Sequence, residues 1–305
     1  MYEHLNAHID SLALDHRRGA AEIVEDAALL FRDIARCGEK KHRNCTQLFN
    51  RAVRRLAEGQ PSMAPVLNLL NRVCIFREES GDNWVEFKVR LQRLVSDWNT
   101  RTTQMVNYVQ DLPREGETLL TYSNSSTVAR MLIACNERFG WPRRVLCGEG
   151  RPRQEGVVMA KRLKSAGISV LVYTDAALMS QVAAVDMVWI GGDCLSREGL
   201  VNKVGSSALS LLAMIHNVPF ISLMTTDKLI TPDMLMFFRL LSQNPREIIP
   251  DDLVELDVVN EYYETIPLEL ITNIFTEEGL FLPKELVSTI AYGPISSLFE
   301  ELAEG

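Results

Sequence analysis

The side chains best suited to chemistry follow one hydrophobic run, residues 185–190, which is typical of a buried β-strand. The run ends in two glycines and Asp193, and a short loop is expected to deliver Asn202 and Lys203 to the start of a helix. Strand ends and the free N–H groups of a helix N-terminus together form a common binding place for phosphate groups. The acid, the amide and the cation therefore indicate a phosphorylated ligand that carries hydroxyl groups.

A second polar cluster, residues 123–127, places four hydroxyl side chains and one amide at the expected start of a helix. Ser125, Ser126 and Thr127 could bind a phosphate with the help of the helix dipole. The alternative is a simple helix cap made by Ser125 or Ser126. A cap requires one such residue rather than five in a row, so ligand binding is favoured.

The third cluster, residues 148–156, is a glycine-rich loop. Its glycines allow the backbone to approach a ligand closely, and Arg151 offers a planar fork that suits phosphate. A flexible loop with a solvated arginine explains the same residues. For Asp193, the alternative to holding a sugar hydroxyl or acting as a general acid is a turn cap that pairs with Lys203. Both alternatives stay open at this point.

The composition indicates a globular protein of the cytoplasm. The chain has 305 residues and a net charge of −8, and residues 251–305 hold thirteen acids with Lys284 as the one base. An acidic chain without basic blocks is a poor candidate for direct nucleic-acid binding. The acidic end is interpreted as a solvated surface, with an interface for a basic protein partner as the alternative.

The sequence also argues against a membrane protein, a metal site and a bound cofactor. No apolar run reaches the roughly 18 residues that span a bilayer. Residues 1–4 lack the basic start of a secretion signal. The six cysteines show neither a C-x-x-C pair nor metal-ligand spacing, so we expect reduced, packed thiols, no metal and no cofactor.

Hydrophobic spacing divides the chain into a helical domain, residues 1–112, and an α/β domain, residues 113–305. In the first, apolar residues recur at intervals of three and four, which is typical of amphipathic helices. Such stripes cover residues 23–34, 48–56 and 85–98. Gly38 is expected to end the first of these helices. Residues 111–116 form a polar turn that fits a domain junction.

From residue 117, short β-type runs alternate with helical stretches. The expected strands are residues 118–122, 144–147, 169–173, 186–190 and 219–223. The expected helices are residues 126–138, 155–166, 176–183 and 204–216. This alternation predicts a doubly wound, mainly parallel sheet with helices on both faces. Ligands of such sheets bind beyond the carboxyl ends of the strands, where each polar cluster above is placed.

Several short motifs, taken in chain order, carry a family resemblance. They are Arg18-Gly19-Ala20, Pro61-Ser62-Met63-Ala64, Leu119-Leu120-Thr121, the E-x-R-P segment at 149–152, Gly191-Gly192-Asp193, Asn202-Lys203-Val204-Gly205, Pro219-Phe220, Glu247-Ile248-Ile249-Pro250, Thr265-Ile266-Pro267 and Thr276-Glu277-Glu278-Gly279. The chain resembles the α, β and δ subunits of translation initiation factor 2B and two related enzymes. These are methylthioribose-1-phosphate isomerase and ribose-1,5-bisphosphate isomerase.

The resemblance implies a helical N-terminal domain, a Rossmann-like C-terminal domain and dimers built mainly through the latter. It also implies an inter-domain pocket for a phosphorylated sugar or a nucleoside monophosphate. In the isomerase branches a cysteine after the first strand and an aspartate after the fourth carry catalysis. The aspartate matches Asp193, whereas Ser123 stands at the cysteine position. Gln60 replaces an arginine of some isomerases, and Glu155 stands where isomerases tend to have glutamine.

The remaining ligand positions of the family are kept. They are Arg18, Gly19, Ala20, Ser125, Ser126, Thr127, Arg151, Asn202, Lys203 and Lys228. The sequence therefore favours an initiation factor 2B-like protein that binds a phosphorylated sugar or nucleotide and regulates through a partner. Because an alcohol without a base partner is a poor base at neutral pH, Ser123 argues against isomerase activity. The alternative is a working aldose–ketose isomerase that uses Asp193.

Overall fold

The structure is a computed structural model that describes residues 2–15, 18–40, 44–108, 112, 116–249 and 256–304. Its chain forms two compact units. The helical unit comprises Met1–Thr100, Asp227–Leu240 and Ile290–Gly305, and the sheet unit comprises Arg101–Thr226 and Leu241–Thr289. The expected boundary at residues 112 and 113 stays a prediction, and most of the expected junction, residues 111–116, lies outside the described residues.

Long helices make up most of the helical unit. In chain order they are α1 (Tyr2–Ala13), α2 (Ala20–Glu39), α3 (Cys45–Gly59), α4 (Ala64–Ser80) and α5 (Trp84–Asn107), which runs on into the sheet unit; α10 (Pro232–Leu235) and α12 (Ser297–Glu304) come later in the chain. The three sequence stripes lie on α2, α3 and α5, whereas α1 and α4 were not identified separately. Gly59 is the last residue of α3.

Aromatic rings fill the centre of the helical unit. The Phe49 ring contacts Phe31 at 5.3 Å and Phe87 at 5.7 Å between ring centroids. Trp84 meets Phe87 edge-on at 5.9 Å. Such tilted and edge-on pairs add stability beyond the area that the rings bury. The apolar stripes of α2, α3 and α5 therefore converge on one aromatic cluster.

Gly38 does not end α2, which continues to Glu39. A Cβ atom at Gly38 would lie 2.2 Å from the Trp84 ring, closer than any contact between real atoms. The glycine is thus required because the indole packs directly against the α2 backbone. The expected helix stop was wrong, since the missing side chain serves packing rather than termination.

The sheet unit is built on a seven-stranded sheet with the order β10-β9-β7-β4-β1-β2-β3. Its strands are β1 (Thr118–Thr121), β2 (Arg144–Gly148), β3 (Ser169–Tyr173), β4 (Met187–Ile190), β7 (Phe220–Leu223), β9 (Asn273–Thr276) and β10 (Gly279–Phe281). All neighbouring pairs are parallel except β9 and β10. Helices α6 (Ser126–Phe139), α7 (Glu155–Ser165), α8 (Asp175–Met179), α9 (Ser206–Ile215) and α11 (Pro283–Ser288) accompany it.

A smaller antiparallel sheet replaces the loop that was expected before Asn202. Strands β5 (Cys194–Ser196) and β6 (Gly199–Lys203) form a hairpin, and β6 also pairs with β8 (Tyr263–Ile266). Every residue of β6 is buried. The hairpin was missed because its partner strand β8 lies some sixty positions later in the chain.

The predicted α/β fold class is confirmed. All five expected strands and the helices expected between them occur within a few residues of their predicted bounds. The pattern succeeded because strands buried on both sides are continuous apolar runs, and each is followed by an amphipathic helix. Among the described residues, no helix is long and apolar enough to cross a membrane.

We predict that Gly38→Ala destabilises the protein by about 1–3 kcal/mol, because the added methyl group overpacks the Trp84 site. Urea unfolding followed by circular dichroism measures the change. The matched control is the same substitution in a Trp84→Leu background, where the ring that would clash is absent. In the Trp84→Leu background, Gly38→Ala should not lower the free energy of unfolding, because alanine is a better helix former than glycine. An equal loss of stability in both backgrounds would contradict the packing explanation.

Candidate functional site

The parallel register brings three of the predicted polar clusters to one edge of the sheet. Strand β1 lies between β2 and β4, with Thr121 opposite Cys147 on one side and Trp189 on the other. The three strands therefore end at the same level. The segments that follow them meet closely, since a Cβ at Gly191 would lie 2.7 Å from Cβ of Ser125. The predicted convergence of these clusters at the carboxyl edge is thus present.

Ser125 is the N-cap of α6. Its hydroxyl accepts a hydrogen bond from the backbone N–H of Val128 at 3.3 Å. The capping alternative therefore applies to this residue. Ser126 lies exposed in the first turn of α6 and Thr127 is buried behind it. A ligand role for these hydroxyls stays a prediction.

Ser123 directly follows β1 in a left-handed backbone conformation, with φ of +68°. The residue is half-buried. Among the described residues, no side chain hydrogen-bonds to its hydroxyl group. The sequence of the sheet unit contains a single histidine, His216, and this residue follows the C-terminal end of α9.

Asp175 shapes the glycine-rich loop. Its carboxylate accepts hydrogen bonds from the backbone N–H groups of Gly150 at 2.8 Å and Arg151 at 2.7 Å. Sequence reasoning missed Asp175, although its place directly beyond the end of β3 was a usable signal. The Arg151 side chain is exposed, so its guanidinium stays on the surface of the loop.

An open cavity of about 370 Å³ lies beside this loop. It is lined by Arg151, Pro152, Val204, Ile248, Val259, Asn260 and Glu261. Its size is within the range of small-ligand pockets, and its lining combines apolar side chains with a few polar groups. Arg151 is the cation and Glu261 the acid among the lining residues, so Arg151 gives this cavity a group that can bind an anion.

Lys203 is nearly inaccessible, with a side chain 4% exposed, and its ammonium group lies 2.7 Å from Oε1 of Glu155. The ammonium also lies 4.6 Å from the centre of the Tyr262 ring, a cation–π contact. The sequence alternative paired Lys203 with Asp193, whereas the observed carboxylate is that of Glu155. The second carboxylate oxygen of Glu155 is buried and has no hydrogen-bond partner among the described residues.

Tyr262 joins this pair to a second one. The Arg153 guanidinium lies 5.2 Å from its ring centre and 3.3 Å from Oε1 of Glu247. The Tyr262 hydroxyl donates to the Glu247 carboxylate, to which Asn260 also donates at 3.0 Å. Burial alone raises the pKa of Glu247, but these hydrogen bonds and the Arg153 charge bring the pKa below its usual value. None of this network was identified from the sequence.

Glu264 occupies the N-terminus of α9. Its Oε1 accepts the backbone N–H groups of Gly205 and Ser207, both at 2.7 Å. The sequence expectation of free helix N–H groups beside Lys203 was therefore wrong. Asn202, the other half of that motif, donates its amide to the hydroxyl of Ser206 at 2.9 Å and is buried. A carboxylate from β8 thus takes the position in which an external anion would be expected.

Acidic side chains also surround the phenols of the site. Burial raises the pKa of Tyr263, and the carboxylates of Asp193 and Glu155 raise it further. Burial likewise raises the pKa of Tyr122, with additional contributions from Asp175, Glu155 and Glu264. Both phenols therefore stay protonated at neutral pH. The Tyr122 hydroxyl donates to the carbonyl of Val204 at 3.0 Å.

The remaining site candidates belong to the helical unit. The Arg18 fork contacts Asp15 at 2.6 Å and Asp26 at 3.0 Å. Gly19 precedes α2 as its N-cap residue, and Ala20 is the first residue of that helix. Lys228 lies in a helical turn. The side-chain amide of Asn68 donates hydrogen bonds to the backbone carbonyls of the residues before and after Lys228. A ligand role for these residues stays a prediction.

Gln60 has a structural task in the helical unit. The buried amide donates to the carbonyls of Leu12, Ala13 and Asp15 at 2.8, 3.3 and 2.8 Å. It thereby satisfies the carbonyls at the end of α1 and fixes the backbone of Asp15, which holds Arg18. Gln60, which stands where some isomerases have an arginine, thus supports the backbone around Arg18.

The site is rich in carboxylates, and the sequence of its unit holds a single histidine. No group of three or more His, Cys, Asp or Glu side chains within the described ranges could hold a metal ion. The cysteines near the site are buried, and burial raises the pKa of Cys194 and Cys147. Burial raises the Cys147 value to about 12, so this thiol is not a nucleophile at neutral pH.

We predict that Glu264→Ala costs about 1–2 kcal/mol of stability, because two N–H groups at a helix N-terminus lose their acceptor. The freed groups form an anion site, so inorganic phosphate should raise the melting temperature of this variant more than that of the unmodified protein. The control is Glu269→Ala, which removes an exposed acid of the same unit. Equal phosphate responses of all three proteins would contradict the assignment.

Known proteins are similar to this chain over most of its length. The chain is 28% identical over 274 residues to the ribose 1,5-bisphosphate isomerase of Archaeoglobus fulgidus, covering 88% of this chain and 86% of the relative. It is 27% identical over 233 residues to a putative translation initiation factor eIF-2B subunit 2-like protein of Pyrococcus furiosus, covering 75% and 79%.

Solved structures share the fold. The translation initiation factor eIF-2B of Pyrococcus horikoshii OT3 aligns with a TM-score of 0.79 at 20% identity, over 93% of this chain and 99% of that one. The 5-methylthioribose 1-phosphate isomerase of the same organism aligns with a TM-score of 0.72 at 20% identity, over 98% and 87%. The family model of the Initiation factor 2 subunit family matches residues 16–283. The chain therefore belongs to the Initiation factor 2 subunit family.

Proposed function

We propose that this protein binds a phosphorylated sugar or a nucleotide at the carboxyl edge of its sheet and regulates a partner without isomerising the ligand. The observation that carries the second half of this proposal is Ser123. It follows β1 at the position where the family resemblance implies a catalytic cysteine. A serine alcohol becomes a base or nucleophile only beside a group that takes its proton.

The described part of the chain brings no proton acceptor into hydrogen-bond contact with Ser123. Its hydroxyl has no hydrogen-bond partner among the described residues. Tyr122 contacts the N-terminal end of α9, and His216 follows that helix about 15 Å away, at 1.5 Å for each of its residues. The raised pKa values of Tyr122 and Tyr263 keep both phenols protonated. Proton abstraction by Ser123 at neutral pH is therefore disfavoured.

Binding is supported by groups that need no activation. Arg151 presents a bidentate cation to the cavity, and the first turn of α6 offers backbone N–H groups beside Ser126 and Thr127. Asp193 lies half-buried beyond β4 and can accept a hydrogen bond from a sugar hydroxyl. Arg18 and Lys228 are proposed to take part as ligand-binding residues of the helical unit, and the inter-domain pocket stays a prediction.

The second candidate is an aldose–ketose isomerase of the ribose-1,5-bisphosphate or methylthioribose-1-phosphate type. It is favoured by the similarity to the Archaeoglobus fulgidus enzyme over most of both chains and by the position of Asp193. In this reading Asp193 would move the proton and Ser123 would only hydrogen-bond to the substrate.

A homodimer or higher homo-oligomer and a protein partner belong to the same proposal. Leu211, Met214 and Ile215 lie exposed on α9, which leaves an apolar surface of the kind found at subunit contacts. Sedimentation of a monomer at micromolar concentration would reject this part. The acidic residues near the C-terminus fit a basic partner. A cytoplasmic location stays a prediction.

Thermal unfolding tests the binding half of the proposal. A ligand present at 100 times its dissociation constant should stabilise the folded protein by about 2.7 kcal/mol. We expect such a shift with at least one of AMP, GMP, ribose 5-phosphate or ribose 1,5-bisphosphate, and a smaller shift in Arg151→Ala. Arg143→Ala, which removes an exposed arginine from the same unit, is the control. The absence of any shift would reject ligand binding.

Ketose formation tests the catalytic half. The purified protein is incubated with ribose 1,5-bisphosphate and with 5-methylthioribose 1-phosphate, and we expect no turnover. Ser123→Cys should gain measurable turnover if the missing thiol is the defect, since a cysteine thiolate forms far more readily than an alkoxide. Turnover by the unmodified protein that disappears in Asp193→Asn would establish the isomerase instead.

A further inference from the structure

The strand-end clusters of the sheet unit hold more carboxylates than cations. The described carboxylates there include Glu149, Glu155, Asp175, Asp193, Glu247, Glu261 and Glu264, and the described cations include Arg151, Arg153 and Lys203. Two of the cations are neutralised within the protein, Lys203 by Glu155 and Arg153 by Glu247. Arg151 has no carboxylate within ion-pair distance among the described residues. In the described part of these clusters, Arg151 is thus a cation without an ion-pair partner.

Glu155 is the residue that forms the ion pair with Lys203. The ammonium group is buried, and its contacts are Oε1 of Glu155 at 2.7 Å and the face of Tyr262. A buried cation requires such a partner, because moving an isolated charge out of water is costly. The positive charge of Lys203 is thereby balanced before any ligand arrives.

The other oxygen of Glu155 has the opposite character. Oε2 is buried and accepts no hydrogen bond from any described residue. A buried acceptor without a donor carries a free-energy cost, so this carboxylate is held in place by its pairing with Lys203. The negative charges of Asp193 and Glu155 both raise the pKa of the Tyr263 phenol. Charges of this sign repel an anionic ligand.

We propose that Glu155 sets the charge of the ligand, so that the site takes a sugar or nucleoside monophosphate in preference to a bisphosphate. This inference rests on the proposed function. The single phosphate is held by Arg151, and the Glu155 carboxylate keeps the charge of Lys203 from balancing a second one. Because each phosphate monoester carries about −1.5 to −2 charges near pH 7, a second phosphate would meet the carboxylates without a free cation to balance it.

Isothermal titration calorimetry at pH 7.5 with ribose 5-phosphate, AMP and ribose 1,5-bisphosphate tests the proposal. The unmodified protein should bind a monophosphate at least about tenfold more tightly than the bisphosphate, the effect expected of one charged hydrogen bond. Glu155→Gln frees the charge of Lys203 and should lower that preference at least about tenfold. The matched control, Glu198→Gln, removes an exposed acid from the β5–β6 hairpin and should leave it unchanged.

A preference for the bisphosphate in the unmodified protein, or an unchanged preference in Glu155→Gln, would overturn the inference while the proposed ligand binding stands. Binding of none of the three ligands would instead reject the proposed function itself. If Glu155→Gln does not fold, the proposal is tested on the unmodified protein instead, by measuring its preference for the monophosphate at different salt concentrations. Raising the salt from 0.05 to 0.5 M screens the carboxylates and should reduce the discrimination, because the Debye length falls below about 10 Å. Discrimination that does not change with salt would also contradict the proposal.

Discussion

The burial of Lys203 is the constraint on which the candidate site depends. A lysine that is 4% exposed must be paired, and the pairing with Glu155 fixes the start of α7 against the end of β6. The same ammonium packs on Tyr262, whose hydroxyl group in turn binds Glu247. One buried cation thus organises strand ends, a helix start and the segment around residue 247.

Internal carboxylates take over a role that external anions often have in α/β proteins. Asp175 accepts the N–H groups of the glycine-rich loop, and Glu264 accepts those at the start of α9. Glu277 does the same for Thr226 beyond β7. The backbone donors at these three places are therefore satisfied by the chain itself. This arrangement leaves the Arg151 side chain and the N–H groups in the first turn of α6 as the means of recognising an anion.

The family relationship and the side chains of the site point in different directions. The chain matches ribose 1,5-bisphosphate isomerases over most of its length, and it also matches initiation factor subunits. Ser123, Glu155 and Gln60 are the positions at which chemistry separates these readings. Gln60 is already committed to three carbonyls of the α1 end, and Glu155 to Lys203. Two of the three departures thus have a structural partner, and Ser123 has none among the described residues.

The sequence by itself determined the order of the five central parallel strands and of the helices between them, because apolar spacing reflects the period of each element. It also determined that the clusters after β1, β2 and β4 share one edge, since parallel strands all end on the same side. It did not determine the partners of Lys203, the acceptor at α9 or the reason for Gly38. Each of these depends on residues distant in the chain, namely Glu155, Glu264 and Trp84. Only tertiary packing decides which distant carboxylate or ring reaches a given group, because local periodicity carries no information about that choice.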